Sequence, residues 1–418
     1  MKPKIVFLDE YSLAGRDLSA VKALGDYTGY DMTAPDEVAA RCADAEIVVT
    51  NKVRLDAATI AQLPHLRLIC VAATGVNNID LDAAAEHGVE VRNAAGYSTH
   101  SVAETTLGAA IALLRESVYY DEFFKSGRYA RSPRLFCFDR PIRQLHGRRW
   151  GVIGLGAIGR EVARLAAAFG CEVSYHSTSG VAREEAYPAL PLDELLAWAD
   201  VVSIHCPLNA HTRGLIGAEQ LRRMKPSALL VNVARGDIVD EAALAEALDD
   251  GRIAGAALDV FSSEPVKADN PLLALRDPYR LLASPHNAWA TGEAIDTLVR
   301  CVARNIEAYL KKITLSTTDG KRPDRKSIRT LPVAGSSSAY LQAFNPRITA
   351  AENPACSISF RPRTVIPPGV VTRSISVSGC SPRCNSSSAA PRSVAATICV
   401  ACPAGQPSST PPSTDART

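Results

Sequence analysis

The chain has 418 residues, of which 47% are hydrophobic and 22% are charged, which is ordinary for a globular protein of two or three domains. No apolar run approaches the roughly 20 residues that a membrane-spanning helix needs. The opening "MKPKIVFLDE" enters a strand-like run at once, without a signal or transit peptide. We therefore expect a cytoplasmic protein that does not associate with membranes.

The formal net charge of +2 is unevenly distributed along the chain. Residues 319–418 carry 12 Lys and Arg against 4 Asp and Glu, so the preceding part is mildly acidic. An acidic body gives no reason to expect nucleic-acid binding. The cysteines before residue 319 lie in apolar stretches without metal-like spacing, as reduced core residues do: Cys42, Cys70, Cys137, Cys171, Cys206 and Cys301. We expect no metal site there.

The first 93 residues alternate short apolar runs with helix-like stretches. The apolar runs are "KIVFLD", "EIVVTN", "LRLICVAAT" and "VEVRN", and the helix-like stretches include "DAATIAQL" and "LDAAAEHG". Strands that alternate with helices predict a parallel sheet covered on both faces. This region is therefore predicted to be a small α/β domain, for which we set the bounds 1–98.

A long apolar helix is predicted within "AGYSTHSVAETTLGAAIALLRES" (95–117), where Ser or Thr is available as an N-cap. We interpret it as a bridge between domains. From residue 149 the alternation restarts with six strand-like runs: "RWGVIGLG", "CEVSYH", "VVSIHC", "ALLVNVA", "GAALDV" and "LLASPH". Six strands with intervening helices predict a doubly wound nucleotide-binding sheet. A helix-like segment at 290–311 closes the folded part.

Beyond about residue 314 the composition changes to Ser, Pro, Arg and Gly, with no helical or strand period. Such a mix cannot bury enough apolar surface to offset the entropy of ordering. We therefore expect residues 315–418 to be a disordered, dispensable tail. The alternative is a small zinc module, because the cysteines there have C-x₃-C and C-x₂-C spacing: Cys380, Cys384, Cys399 and Cys402.

The stretch "RWGVIGLGAIGREVA" (149–163) contains a Gly-x-Gly-x-x-Gly turn between an apolar strand and an Ala-rich helix. The motif alone is weak, but this context is the one that dinucleotide binding requires. Gly154 permits the tight turn, Gly156 lets the backbone approach a pyrophosphate, and Gly159 lets the helix pack closely on the strand. The helix N-terminus attracts the phosphate charge.

The second strand of this unit lacks a feature that usually accompanies the motif. An Asp or Glu that binds the ribose is expected at its end, about 20 residues after the glycines. The sequence there is "EVSYHSTSG", with Ser177 in the expected region and Arg183 as the nearest arginine. The preference between NAD and NADP is therefore open.

Three further stretches place reactive side chains at or beyond strand ends, where such sheets bind ligands. They are "VNVARGDIVD" with Arg235, "ALDVFSSEP" with Asp259 and Glu264, and "LLASPHNAWAT" with His286. Arg can hold a carboxylate through two hydrogen bonds, and His can exchange a proton near neutral pH. His205 in "SIHCPLN" also ends a strand and is the rival proton carrier, but we favour His286 because it follows the last strand.

These motifs, in this order, resemble the D-isomer-specific 2-hydroxyacid dehydrogenase family over about residues 4–311. "TNKV", "AATGVNNID" and "AGYSTHSVAETT" contribute to the resemblance upstream of the glycine-rich turn. Within the family, "FCFDRPI" and "YHSTSG" make the chain most similar to glycerate dehydrogenases, also called hydroxypyruvate reductases.

The resemblance implies a Rossmann nucleotide-binding domain (99–287) inserted in a flavodoxin-like substrate domain, which a return helix at 288–314 completes. It also implies a homodimer. In catalysis, Arg235 is expected to bind the substrate carboxylate, His286 to act as acid and base, and Glu264 to be the partner of His286. Substrate contacts are implied for Asn51, Lys52, Gly75, Val76 and Arg235. Cofactor contacts are implied for Gly154, Gly156, Ala157, Ile158, Gly159, Ser177, Pro207, Thr212, Ala234 and, beside the nicotinamide carboxamide, Asp259.

The expected reaction is hydride transfer from NAD(P)H to a small 2-oxo acid, with hydroxypyruvate giving D-glycerate or glyoxylate giving glycolate. We expect NAD(H) as cofactor, and the missing carboxylate at Ser177 leaves NADP(H) open. The alternative function is a cofactor-sensing corepressor, because some proteins that resemble this family bind partner peptides instead of turning over metabolites.

Overall fold

The computed structural model describes residues 2–180 and 184–318, with side chains described as far as residue 314. The tail was predicted to begin at residue 315, but residues 315–318 continue the last helix, so the prediction of disorder is wrong for these four residues. The rest of the predicted tail, with its possible zinc cysteines, and Arg183 lie outside the described residues. The described part belongs to the α/β class, as predicted, and holds two parallel β-sheets flanked by helices.

The first sheet has five strands: β1 (Lys4–Phe7), β2 (Asp26–Gly29), β3 (Ile47–Thr50), β4 (Leu68–Val71) and β5 (Glu90–Asn93). Their order across the sheet is β2-β1-β3-β4-β5, the flavodoxin-like arrangement that the resemblance implies. The central strands β3 and β4 are buried on both faces, which explains their uninterrupted apolar sequences. The sequence analysis missed β2, whose segment "DYTG" is a largely exposed edge strand without an apolar pattern.

The second sheet has six strands, all of which were predicted: β6 (Arg149–Ile153), β7 (Glu172–His176), β8 (Val201–Ile204), β9 (Leu229–Asn232), β10 (Gly255–Leu258) and β11 (Leu281–Ala283). Their order is β11-β10-β9-β8-β6-β7. Strand β6 lies between β7 and β8, so the winding direction reverses there. Open α/β sheets bind ligands at the carboxyl ends of the strands beside such a reversal.

The described helices have the following bounds: α1 (Ser19–Lys22), α2 (Val38–Arg41), α3 (Ala57–Ala61), α4 (Leu81–Glu86), α5 (Thr99–Leu114), α6 (Ser117–Lys125), α7 (Ala157–Ala168), α8 (Leu192–Trp198), α9 (Ala218–Arg223), α10 (Glu241–Asp249) and α11 (Gly292–Thr318). Within the described ranges, no helix is long and apolar enough to cross a membrane.

Two helices connect the sheets, and each packs on one of them. Helix α5 contributes Leu107 and Ala110 to the core around β6. Ser98 occupies its N-cap position, but the serine side chain makes no capping hydrogen bond. Helix α11, longer than the predicted 290–311, buries Leu298 and Ile306 against the first sheet. The chain therefore leaves the first sheet, builds the second, and returns to the first.

Candidate active site

A cavity of about 260 Å³ lies where loops from the carboxyl ends of both sheets meet. From the first sheet it is lined by Asn51, Lys52, Ala73, Gly75, Asn77 and Asn78. From the second sheet it is lined by Leu208, Arg235, Gly236, Asp237, Phe261, Ser262, Glu264 and His286. The three predicted catalytic residues, which include Arg235, thus share one cavity with three of the four other predicted substrate residues. The fourth, Val76, is not among the lining residues, and its side chain packs against the core of the first sheet.

His286 and Glu264 form a hydrogen-bonded pair at this cavity. The Nδ1 atom of His286 lies 2.6 Å from Oε2 of Glu264, and the backbone N–H of Phe261 donates to Oε1 of Glu264 over 3.0 Å. Burial raises the pKa of Glu264, but these two hydrogen bonds and the charges of His286 and Lys52 together lower it below its usual value. Glu264 is therefore a carboxylate near neutral pH and stabilises the protonated imidazole.

The backbone of His286 adopts an uncommon conformation that its neighbours hold in place. Its φ angle is +53°, in the left-handed region that costs a non-glycine residue roughly 1–2 kcal/mol. The His286 N–H donates to the carbonyl of Asp259 over 2.8 Å, and the indole N–H of Trp289 donates to the carbonyl of His286 over 2.8 Å. The ring of Tyr97 contacts Trp289 edge-on, with centroids 6.0 Å apart. These contacts fix the direction of the imidazole.

The carboxylate of Asp259 serves the same loop. It is 3% exposed and accepts hydrogen bonds from the backbone N–H of Asn287 (2.9 Å), the N–H of Ala288 (3.0 Å) and the hydroxyl of Ser284 (2.5 Å). Asp259 is not among the residues that line the cavity. In this structure its contacts therefore anchor the loop that carries His286. The contact with the nicotinamide carboxamide, which the resemblance implies for Asp259, stays a prediction.

Arg235 follows β9 and places its guanidinium at the cavity. Its Nη1 donates to the carbonyl of Ala234 over 2.6 Å, and its Nη2 lies so close to Gly75 that a Cβ atom there would collide with it. Burial lowers the pKa of Arg235, and the charge of Glu264 opposes this shift. Arginine nevertheless stays protonated in proteins, so the cavity contains a permanent cation.

The Asn51–Lys52 turn is shaped by Asp9, a residue that the sequence analysis missed. Asp9 ends the first apolar run and is 1% exposed. Its carboxylate accepts the backbone N–H groups of Asn51 (2.8 Å), Lys52 (2.6 Å) and Val53 (3.3 Å). Burial raises the pKa of Asp9 overall, although these hydrogen bonds lower it. The only sequence signal was an acidic residue directly after a buried strand.

Lys52 brings a second cation to the cavity. Solvent reaches its side chain, yet the surrounding protein desolvates the ammonium group enough to lower the pKa of Lys52. The charge of Arg235 lowers it further, whereas Glu264, Asp9 and Asp259 oppose the shift. Two positive side chains therefore face a small volume, which suits an anionic ligand.

His205, the rival proton carrier, has a different environment. Both ring nitrogens are buried and have no hydrogen-bond partner within the described ranges 2–180 and 184–318. Burial lowers the pKa of His205 to about 3, so its imidazole is neutral near neutral pH. It does not line the cavity that holds Arg235 and Glu264. Of the two candidate proton carriers, His286 is therefore the one that lines the cavity, and its role stays a prediction.

The glycine-rich turn after β6 has the geometry of a phosphate-binding site. Gly154 has φ of +92°, and a Cβ there would collide with the backbone of Cys206. A Cβ on Gly159 would collide with the carbonyl of Gly154, whereas one on Gly156 would meet open space. The N-cap residue of α7, Gly156, makes no side-chain capping hydrogen bond, so the first N–H groups of the helix can receive an anion. This turn therefore fits the pyrophosphate of a dinucleotide.

The other predicted cofactor residues follow the strands of the second sheet at the same edge. Ala157 and Ile158 begin α7, and Ser177 follows β7 with its hydroxyl 3.3 Å from that of Ser179. After β8, the hydroxyl of Thr212 donates to the carbonyl of Pro207 over 2.7 Å. After β9, the N–H of Ala234 donates to the side chain of Asn232 over 3.0 Å. No carboxylate directly follows β7.

Comparison with known proteins places the chain among dehydrogenases. Residues 107–288 match the family described as D-isomer specific 2-hydroxyacid dehydrogenase, NAD binding domain. A Haemophilus influenzae protein named as a 2-hydroxyacid dehydrogenase is 42% identical over 315 residues, which cover 74% of this chain and 99% of that protein. The glycerate dehydrogenase of Methylorubrum extorquens is 39% identical over 314 residues, which cover 74% of this chain and 97% of that protein.

A solved structure gives the same result. The NADPH-dependent glyoxylate/hydroxypyruvate reductase of Sinorhizobium meliloti, crystallised with NADP and malonate, is 28% identical and superposes with a TM-score of 0.66. The match covers 75% of this chain and 95% of that chain. The order of both sheets, the glycine-rich turn and the Arg235, Glu264 and His286 cavity agree with these relationships. The chain belongs to the D-isomer-specific 2-hydroxyacid dehydrogenase family.

Proposed function

We propose that the protein is an NAD(P)-dependent D-2-hydroxyacid dehydrogenase that reduces hydroxypyruvate or glyoxylate to D-glycerate or glycolate. The observation that carries the proposal is the placement of the His286–Glu264 pair and the Arg235 guanidinium on one cavity at the edge of the nucleotide-binding sheet. The relatives named as glycerate dehydrogenase and glyoxylate/hydroxypyruvate reductase support this substrate class.

Each catalytic side chain has a role that follows from its chemistry. When bound, the reduced nicotinamide supplies the hydride that C2 of the 2-oxo acid receives. Arg235 binds the substrate carboxylate through two parallel hydrogen bonds and so orients C2. Protonated His286 donates its Nε2 proton to the carbonyl oxygen, while Glu264 holds Nδ1 and stabilises the imidazolium. In oxidation, neutral His286 accepts the hydroxyl proton.

The cofactor site supports use of both dinucleotides. The glycine-rich turn and the uncapped N-terminus of α7 would hold the pyrophosphate, and Gly154, Gly156 and Gly159 leave the necessary space. At the end of β7, Ser177 offers a hydroxyl to the adenosine ribose and no charge that would repel a 2′-phosphate. We therefore propose NAD(H) as cofactor with NADP(H) also accepted.

We propose that residues 1–98 and 288–314 form the substrate domain and that residues 99–287 form the nucleotide domain. Support comes from the separate cores, because α11 packs with the first sheet and α5 with the second. Leu107 of α5 lies in the core of the second sheet, and Leu298 of α11 lies in the core of the first sheet. The cavity then lies in the cleft between the domains.

We further propose a cytoplasmic homodimer. The segment from α6 to β6 exposes a group of large apolar side chains, all between 43% and 79% exposed: Val118, Phe124, Leu135, Phe136, Phe138 and Ile142. Monomeric proteins rarely leave such a patch uncovered, and a second copy of the chain would bury it symmetrically. Light scattering on a variant with both Phe136→Ser and Phe138→Ser should report a monomer, whereas an unchanged dimer mass would place the interface elsewhere.

The activity is tested by following absorbance of the reduced cofactor with purified protein. Hydroxypyruvate, glyoxylate and pyruvate are each supplied with NADH and with NADPH, and the His286→Asn variant serves as the control for contaminating activity. Turnover that the variant loses supports the proposal. Cofactor binding without turnover of any 2-oxo acid would refute it and favour the cofactor-sensing corepressor.

A further inference from the structure

Asn51 carries an unusual combination of burial and missing partners. It follows β3, lines the cavity, and is 2% exposed. Both atoms of its side-chain amide, Nδ2 and Oδ1, are buried and have no hydrogen-bond partner within the described part of the chain. Its backbone is fixed, because its N–H donates to both carboxylate oxygens of Asp9 over 2.8 and 3.1 Å. The turn therefore holds an unpaired amide at the cavity wall.

We infer that the Asn51 amide recognises a hydroxyl group on C3 of the substrate, and this inference rests on the proposed function. An amide offers one donor and one acceptor side by side, and a hydroxyl group also both donates and accepts. A carboxylate only accepts, so it would leave Oδ1 unpaired. The arrangement thus selects 2-oxo acids with a 3-hydroxyl group, such as hydroxypyruvate, over those with a methyl group, such as pyruvate.

The other polar residues on the same wall do not share this property. Asn78 donates its amide N–H groups to the carbonyl of Val53 over 3.0 Å and to that of Asn51 over 3.5 Å, so its donors are in use. Asn77 and Lys52 are exposed to solvent, where water can pair with them at little cost. Arg235 and His286 are assigned to the carboxylate and the C2 oxygen. Asn51 is the residue left for C3.

The size of the preference for hydroxypyruvate over pyruvate follows from the free energy lost when a buried polar group has no hydrogen-bond partner. A site built to bind a substrate hydroxyl rejects the analogue that lacks it by far more than a hydrophobic pocket rejects one missing methylene. One unsatisfied buried donor or acceptor corresponds to roughly a 10- to 100-fold loss. We therefore expect kcat/KM for hydroxypyruvate to exceed that for pyruvate by about 100-fold or more in the unmodified protein.

The test compares Asn51→Leu, which keeps the side-chain shape, with Asn77→Leu, a matched asparagine on the same cavity. For each variant and the unmodified protein, kcat/KM is measured with hydroxypyruvate, pyruvate and glyoxylate, which has no C3 atom. Asn51→Leu should lower the hydroxypyruvate value by about 10- to 100-fold and keep glyoxylate within about threefold. Asn77→Leu should leave the ratio of hydroxypyruvate to pyruvate within about twofold.

Three results would overturn the inference. The first is an equal loss for all three substrates in Asn51→Leu, which would assign Asn51 to the shared carboxylate. The second is an unchanged ratio of hydroxypyruvate to pyruvate in that variant. The third needs no variant: a ratio near one in the unmodified protein. If the unmodified protein reduced none of the three acids, the proposed function itself would fail, so the two failures are distinguishable. Glyoxylate turnover by Asn51→Leu shows that the variant is folded.

Discussion

Replacing Glu264 with Gln tests the proton relay directly, because the substitution keeps the shape and removes the charge. In the structure the two carboxylate oxygens of Glu264 accept from two donors, the imidazole Nδ1 of His286 and the backbone N–H of Phe261. A glutamine amide has only one oxygen and can satisfy only one of these donors. The variant therefore loses the negative charge and one hydrogen bond at the same time.

The magnitude follows from the exposure of the pair. Hydrogen bonds to charged groups contribute about 1.5–3 kcal/mol. The Glu264 side chain is 36% exposed and that of His286 is 21% exposed, so solvent screens part of this interaction and the lower limit applies. About 1.5 kcal/mol corresponds to roughly one pH unit. The pH dependence of turnover should therefore shift by about one unit when Glu264 is replaced by Gln.

The assay is the pH dependence of kcat/KM in both directions. Reduction requires protonated His286 and falls as pH rises, so its falling limb should move to lower pH by about one unit. Oxidation requires neutral His286 and rises with pH, so its rising limb should move the same way. Asp237→Asn removes a charge from the same cavity without touching His286 and should shift neither limb. Unshifted profiles in Glu264→Gln, or limbs that move in opposite directions, would refute the assigned roles.

Three other substitutions test the remaining parts of the site. His286→Asn should slow turnover by roughly 10²–10⁴-fold with cofactor affinity, measured by fluorescence titration, nearly unchanged; a comparable collapse in His205→Asn alone would transfer the role. Ser177→Asp should raise the ratio of kcat/KM with NADH to kcat/KM with NADPH, because the carboxylate repels the 2′-phosphate. An unmodified protein that already rejects NADPH as strongly as the variant would contradict this. Trp289→Phe, which removes the N–H that holds the His286 carbonyl, should lower kcat about tenfold, unlike the control Trp198→Phe.

The strands that could be predicted are those whose burial produces a continuous run of apolar residues in the sequence. Strand β4 reads "LICV" because both faces are covered, and strands β8, β9 and β10 of the second sheet carry the same signal. Strand β2 was missed because an exposed edge strand has no need for apolar residues, and only pairing with β1 defines it. The extension of α11 to Thr318 was missed because its last residues, "ITLSTT", are mostly β-branched residues and Ser, which have weak helix propensity.

The convergence of Arg235, Glu264 and His286 on one cavity could be predicted because parallel strands end at one edge of a sheet. Arg235, Glu264 and His286 follow β9, β10 and β11 in turn, so topology alone brings them near one another. The contact of Asp9 with Asn51 joins residues 42 positions apart, and the Trp289 indole bond depends on the left-handed backbone of His286. Neither has a local sequence pattern, so both required the folded structure.

The residues proposed for proton transfer and those proposed to choose the substrate come from different sheets. Arg235, Glu264 and His286 all come from the second sheet, where the glycine-rich turn would hold the cofactor. Asn51 and Lys52 come from the first sheet and are positioned by the single carboxylate of Asp9. A change at Asn51 can therefore alter which 2-oxo acid fits while the hydrogen bond between His286 and Glu264 is kept. A change at Lys52 would affect both properties, because the charge of Lys52 also lowers the pKa of Glu264.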